Sequence, residues 1–385
     1  MFAALRADLW RTLCRLADWR AHWRYLNGSP VVDVAIITNV RDEHERHLFW
    51  GGRRPPRGHS NGARIYLNGV AGRVRGLDIT AAELMTREGR ARGRELFIDA
   101  VRWAESRGAR VVLLAASTKR LFGRDGAALK TMFPGMVFTI GDNGTALLLC
   151  RDVERALDQA GLDTRARVLV IGPYGILGTE VTNFLLEQGY RVAGFGATPA
   201  RLEDFGRRFP GVQLFHDLRL VGDVDAVICC THSPDAKLTA ATVENLRRRA
   251  RKLLVVDVAE PANLDEDVYA KCHRLVVRQD AGNGHSPLLH FVLGETSSRM
   301  LKLAPQTVFG CFAESLALFH SIYRERQHRR LNQDWFSVNR SNMAALADAF
   351  QSVEISAARP HCFGQPVTRF NLDFPVVGSA ARRAA

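Results

Sequence analysis

The sequence is poor in the features that assign a chain early. No apolar run approaches the roughly 18 to 20 residues that a membrane-spanning helix requires. The first residues lack a compact apolar core followed by a small-residue cleavage site, so the expected location is the cytoplasm. Cysteine is sparse and scattered: seven residues, at 14, 150, 229, 230, 272, 311 and 362, with no CxxC and no Cys/His ligand spacing. That pattern excludes a disulfide framework and gives no metal site, and each cysteine reads first as a small buried hydrophobe. Acidic residues are in deficit, 40 against 53 Lys plus Arg, which leaves a formal charge of +13. A surface of that sign attracts acidic partners. The arginines are nevertheless spread over helix-like stretches such as "REGRARGREL" (87–96) and "NLRRRARK" (245–252), with no nucleic-acid-binding motif beside them, so no nucleic acid is expected.

What is present is enough apolar residue, 46% of 385, to build two or three domains. Residues 2–26 place Phe2, Leu5, Leu9, Leu13, Leu16, Trp19 and Trp23 at helical spacing with arginines between them. Such a stripe more often packs on the protein's own body; contact with a membrane surface is its other use. The tract "GGRRPPRGHSNG" (51–62) reads as a loop, flanked by a hairpin or small sheet in "VVDVAIITNV" and "ARIYLNGVAGRVRGL". A helical stretch over 80–107 leads into a buried strand, "ARVVLLAA".

From 165 to about 285 a regular alternation sets in. The short apolar runs "RVLVIG", "RVAGFG", "VQLF", "DAVICCT", "KLLVVDVA" and "RLVVRQ" are the strands, and helix-like segments separate the first several. Continuous apolar strands with helical crossovers indicate a parallel sheet covered on both faces. The fold class is therefore α/β: a doubly wound, Rossmann-type nucleotide-binding domain over 161–300, an N-terminal α/β domain over 1–160 and a C-terminal helical segment over 301–385. Within that last segment "PQTVFGCFAESLALFHSIYRERQHRR" reads as one long helix beginning near Pro305.

The stretch "VLVIGPYGILGTEV" carries GxxGxxG at Gly172, Gly175 and Gly178, between a predicted strand and a predicted helix. The first glycine permits the tight turn, the second lets the backbone approach a pyrophosphate, and the third lets helix and strand pack closely. Tyr174, Ile176 and Leu177 belong to the same loop, whose helix N-terminus favours phosphate. No acid ends the second strand, "GFGATPARLEDF", where an NAD-specific site places one; Thr198 and Arg201 stand there instead, available to a 2′-phosphate. The expected cofactor is NADPH. Thr231 and His232, in "CCTHSP", end a later strand at the cofactor edge and are expected to line the nicotinamide site.

Five stretches in order, "TIGDNGTALLLCRDVERAL", "VIGPYGILGTEV", "DVAEPANL", "FGCFAESLAL" and "WFSVNRSNM", resemble the long-chain acyl-[acyl-carrier-protein] reductases of cyanobacteria over about residues 80–370. Residues 1 to about 75 lie outside the resemblance, and Ala197 stands where that family has an arginine. The resemblance implies reduction of an acyl thioester to an aldehyde with NADPH, and makes Cys311, centred in "FGCFAE", the residue that accepts the acyl group. It also implies an acyl carrier protein, small and acidic, or coenzyme A as the donor. A basic rim around Arg87, Arg90, Arg92 and Arg94, or the "RRRARK" stretch, would steer a carrier protein.

Transfer to a cysteine divides the chemistry into transthioesterification and hydride delivery. The thiolate attacks, so Cys311 needs a helix dipole, a cation or a hydrogen bond to lower its pKa. His285, His290 and Arg340 are the candidates from the sequence. Thr139, Thr145 and the backbone of "TIGDNGT" can donate to the transient oxyanion; the same residues equally make an ordinary capped turn. Glu314 shares the helical face of Cys311 and either manages a proton or pairs with an arginine, the second being preferred. Two other readings stay open: an NAD(P)-dependent dehydrogenase of a small alcohol or ketone in which Cys311 only packs, and a non-catalytic NADPH-binding sensor or scaffold.

Overall fold

The computed structural model describes residues 2–123, 125–231 and 233–374. The chain forms two compact units, Met1–Leu148 with Gly282–Ala358, and Leu149–Ala281 with Arg359–Ala385. The three consecutive segments expected, 1–160, 161–300 and 301–385, are thus two interleaved units. The cause is apolar: Phe312, Leu316, Phe319 and Phe350, from the supposed third segment, fill the same core as Val34, Ile36 and Leu113.

The chain begins with helices α1 (Phe2–Leu16) and α2 (Trp19–Leu26). Strand β1 (Val34–Val40), helix α3 (Glu43–Trp50) and the hairpin of β2 (His59–Leu67) with β3 (Val70–Thr80) follow. The hairpin turns through Asn68 and Gly69, at φ 44° and 79°, the left-handed pair that matches strand twist. Helix α4 (Arg87–Glu105), β4 (Val111–Leu114), α5 (Ala127–Met132), β5 (Val137–Thr139) and α6 (Asp142–Gln159) come next. β1 runs parallel to both β3 and β4, and β4 parallel to β5. Alternate residues of β1 and β4 serve opposite faces. Val34, Ile36, Val111 and Leu113 enter one core, while Ala35, Ile37, Val112 and Leu114 meet Phe97 and Val101 of α4 in the other.

The second unit follows the alternation read from the sequence. It contains β6 (Arg167–Ile171), α7 (Ile176–Glu187), β7 (Arg191–Phe195), α8 (Pro199–Arg208) and β8 (Gln213–Phe215). β9 (Ala226–Cys229), α9 (Ala240–Leu246), β10 (Leu253–Asp257), α10 (Glu266–Cys272) and β11 (Val276–Asp280) complete it. Its six strands are all parallel, in the order β8-β7-β6-β9-β10-β11. That is the doubly wound order of dinucleotide-binding domains, with its switch point between β6 and β9. The "RRRARK" stretch is not helical: α9 ends at Leu246, and Arg247, Arg248 and Arg251 pair with Glu244, Asp225 and Asp373.

The chain then returns to the first unit through β12 (Asn283–His285), β13 (Leu289–Phe291), α11 (Glu295–Met300), β14 (Thr307–Phe309), α12 (Gly310–Phe319) and α13 (Arg340–Ser352). β13 adds to the first sheet beside β2, giving the order β13-β2-β3-β1-β4-β5. The long helix expected from Pro305 starts only at Gly310. Gln306 is left-handed, at φ 54°, and Thr307 and Val308, both β-branched, extend to pair with β12. The helix also ends early, in a wider turn over 320–324. Among the described residues no helix is long and apolar enough to cross a membrane, and no group of ligating side chains suits a metal ion.

Candidate functional site

In the first unit, β1 and β4 are neighbours whose outgoing connections lead to opposite sides, toward β3 and β5. A crevice opens at the carboxyl ends of such a pair. Asn39, at the end of β1, accepts at Oδ1 from the Ser117 N–H at 3.0 Å. The segment leaving β4 brings in Lys119, whose Nζ donates to Asp142 Oδ1 at 2.8 Å and Oδ2 at 3.1 Å. Asp142 is itself buried and opens α6.

Helix α12 meets the start of α6 through glycines. A Cβ on Gly141, which sits at φ 73°, would lie 2.6 Å from Cys311 Cα; one on Gly144 would lie 2.8 Å from the Gly310 carbonyl oxygen. A Cβ on Gly310 would in turn meet Thr145 Cα at 2.9 Å. The "GDNG" and "FGCF" stretches are therefore two halves of one backbone contact. Asn143, at its centre, donates to the Ser337 carbonyl at 3.2 Å and accepts from the Asn339 N–H at 3.4 Å. That contact is why "WFSVNRSNM" accompanies the other two.

Every residue of Gly310–Phe319 is buried except Cys311, which is partly exposed. It is the second residue of α12, and no side chain caps that helix start. Crowding by protein pushes its thiol up to about 12; Lys119 and the Phe312 N–H pull the other way, while the carboxylates of Asp142 and Glu314 add to the rise. The accessible surface and the raised thiol describe one situation, a side chain reachable from outside yet poorly solvated.

Glu314 is fully buried. Thr139 donates its hydroxyl to Glu314 Oε1, and the Gly144 N–H donates to Oε2 at 2.6 Å. Burial still pushes the carboxyl up to about 7. The arginine partner expected for Glu314 is replaced by Thr139 at the end of β5 and by the Gly144 N–H at the start of α6, where a helix dipole favours a carboxylate.

The expected oxyanion donors are engaged elsewhere. The Thr139 hydroxyl serves Glu314 and accepts from the Gly141 N–H at 3.0 Å; the Thr145 hydroxyl donates to the Gly141 carbonyl at 2.9 Å. Of the cations proposed for Cys311, Arg340 begins α13, His290 lies exposed in β13 opposite Tyr66, and His285 lies in β12 opposite Thr307. The cation acting most strongly on the thiol is Lys119. Its signal in the sequence was its place just after a buried strand, where parallel sheets keep their ligand residues.

The glycine loop of the second unit fits a dinucleotide. Gly172 sits at φ 83°, and a Cβ there would lie 2.7 Å from Thr231 Cβ across the switch point; a Cβ on Gly178 would lie 2.9 Å from Pro173 Cα. Gly175 precedes α7 without a capping side chain, which leaves first-turn N–H groups at Ile176 and Leu177 available to phosphate. Ile176 is exposed, whereas Leu177 packs on the core. Tyr174 reaches the end of β7, where its hydroxyl accepts from the Thr198 N–H at 3.1 Å and its ring carries the Arg201 guanidinium at 4.8 Å. Three residues singled out separately in the sequence are thus one cluster, beside a strand end without an acid. Thr231 is anchored by Asn263, whose Nδ2 donates to its carbonyl at 3.2 Å. His232 lies outside the described residues.

Residues 154–278 match the family described as shikimate / quinate 5-dehydrogenase. The second unit is an NAD(P)-binding domain of the oxidoreductase type. No curated protein matches the chain in sequence. Similar solved structures include a dipicolinate synthase chain from Bacillus halodurans, 16% identical, covering 45% of this chain and 59% of that one with a TM-score of 0.31. CAD from Helicobacter pylori, complexed with NADP(H), is 13% identical over 35% of this chain and 38% of its own, with a TM-score of 0.28. Acetophenone reductase from Geotrichum candidum, in complex with NAD, is 14% identical over 35% and 38%, with a TM-score of 0.26. The chain spans less than two thirds of each of these structures.

Proposed function

We propose that the protein is an NADPH-dependent reductase that accepts an acyl group on Cys311 from the thioester of an acyl carrier protein or coenzyme A, and releases it as an aldehyde. The observation that carries this reading is α12, buried along its whole length apart from the partly exposed Cys311.

The acyl transfer replaces one thioester by another. Cys311 Sγ bonds to the acyl carbon, the donor's C–S bond breaks, and the departing thiol takes up a proton. Glu314, on the same face of α12 and poised near neutrality, is the group to receive the Cys311 proton, and Lys119 offsets the negative charge that develops on sulfur. Bound NADPH supplies a hydride to the acyl carbon. The first-turn amides of α12 are then the donors nearest in kind to an oxyanion site, since the hydroxyls of Thr139 and Thr145 and the Gly144 N–H are engaged. Loss of the Cys311 thiolate from the reduced carbon frees the aldehyde. In the second unit, Thr198 and Arg201, beside Tyr174 at the end of β7, would hold a 2′-phosphate and so favour NADPH over NADH.

A second reading has its own support. The match of residues 154–278 to shikimate / quinate 5-dehydrogenases, with the Lys119–Asp142 pair as a proton-transfer couple, suits oxidation of a small alcohol in which Cys311 is a bystander. Intact-mass spectrometry after mixing the protein with acyl-coenzyme A or acyl carrier protein, without cofactor, separates the two. The expected result is an acyl adduct that is absent from Cys311→Ser and is lost with aldehyde formation when NADPH is added. No adduct across short and long chains would defeat the first reading.

A further inference from the structure

The first two helices are seated the wrong way round for a soluble protein. Leu9, Leu13 and Leu16 recur at helical spacing along α1, and Trp19, Trp23 and Leu26 along α2. All six side chains face outward, between 45 and 76% exposed, and α2 buries none of its residues. Ala7, Trp10 and Cys14 of α1 are partly buried, and polar groups fasten the rest of the pair. Asp18, buried between them, caps α2 by accepting from the Ala21 N–H at 3.1 Å, accepts from the Tyr66 hydroxyl at 2.6 Å and pairs with Arg64 at 2.9 Å. Arg24 pairs with Asp33 at 2.7 Å. The apolar stripe that a body-packed helix turns inward is turned to solvent. Leu48 and Phe49 of α3, also exposed, extend it, and Arg11 donates to the Phe49 carbonyl between α1 and α3.

The charge around this face is predominantly positive. Residues 7–30 hold two acids, Asp8 and Asp18. Asp18 is buried, and Asp8 is paired with Arg11 at 2.9 Å. Arg11, Arg15 and Arg20 interleave with the apolar stripe, and the exposed Arg53 reaches within 3.9 Å of Asp8 from the loop after α3. Leucine, tryptophan and arginine in one face are the composition of a helix lying in a bilayer interface, with indole rings at the headgroup level and guanidiniums on phosphate.

We propose that the outer face of α1 and α2 is a peripheral docking surface for an anionic lipid bilayer, on which the helices lie without crossing. The charge distribution argues for this occupant over others. A second copy of the chain, paired through the same face, would set arginines against arginines. An acidic carrier protein would answer the arginines and leave the indoles and leucines in water.

Vesicle flotation of the full chain tests the proposal. It should float with phosphatidylcholine vesicles containing roughly one-third phosphatidylglycerol and bind pure phosphatidylcholine at least about tenfold more weakly. About 0.5 M salt should release much of the bound protein, since it screens the arginine contacts. Trp19→Ser with Trp23→Ser should lower binding to the anionic vesicles by about tenfold or more while thermal unfolding stays unchanged, since both side chains lie outside the core. Equal binding to neutral and anionic vesicles, or none to either, would overturn it. So would lipid-free self-association that the double substitution abolishes in a protein that ignores vesicles.

Discussion

Glu314 ties stability to pH in the sense opposite to an ordinary paired carboxylate. The fold surrounds it completely, and the donors from Thr139 and Gly144 do not make up for the water it loses, so its carboxyl rises from 4.5 to about 7. The folded protein therefore holds this proton more tightly than the unfolded chain does. The contribution to stability is fully present below about pH 4.5 and is lost as the pH rises through about 7. The gap between 4.5 and about 7, at roughly 1.4 kcal/mol per pH unit, corresponds to about 3.5 kcal/mol. Glu314→Gln does not titrate, so the stability difference between the two proteins should shift by about 2.5 kcal/mol in the variant's favour from pH 5 to pH 8, part of the contribution being already lost at pH 5. Superimposed is a pH-independent cost of about 1–3 kcal/mol, because the amide nitrogen of Gln cannot accept from the Gly144 N–H or the Thr139 hydroxyl. Urea unfolding of both proteins at several pH values reads the difference directly, and every other titrating group cancels in it. Parallel stability profiles would refute the account of Glu314. The same carboxylate should shape catalysis: acyl transfer to Cys311 should rise as Glu314 ionises near pH 7 in the native protein, and that limb should be missing in Glu314→Gln.

Two further substitutions test the remaining parts of the site. Lys119→Met removes the cation that most strongly draws the Cys311 thiol down, so the pH midpoint of iodoacetamide alkylation should move upward, with C311S as the blank; an unmoved midpoint would separate Lys119 from the thiol. Arg201→Ala removes a positive group beside the end of β7, and titration calorimetry should show NADPH binding weakened about tenfold with NADH little changed. Equal weakening of both cofactors would mean that Arg201 supports Tyr174 rather than a phosphate.

The second unit was legible because its signals are local. Its four central strands, β7, β6, β9 and β10, are apolar apart from their end residues, and the glycine loop stands in the strand–loop–helix setting that gives it meaning. The first unit was legible only in pieces, because its sheet is completed by β13, more than 200 residues after β2 and β3. Periodicity identified α1 and α2 without saying which face turns inward. That was decided by Asp18 meeting Tyr66 and Arg64, residues whose proximity to it depends on the hairpin. Thr139 looked free for catalysis for the same reason: its partner, Glu314, lies 175 residues further along the chain.

Cys311 shows how packing and reactivity can be one property. Phe312, Leu316 and Phe319 are buried along α12, and that burial holds the start of the helix against Gly141 and Gly144. A sulfur fixed this way loses water, which raises its pKa and by itself makes it inert. Reactivity then has to come from groups fixed by the same contact: Lys119 through Asp142, the amide of Phe312, and the proton-accepting carboxylate of Glu314. None of these can be moved without disturbing the glycine-to-glycine seam between α12 and α6. The seam therefore determines both where the thiol sits and whether it can become a thiolate.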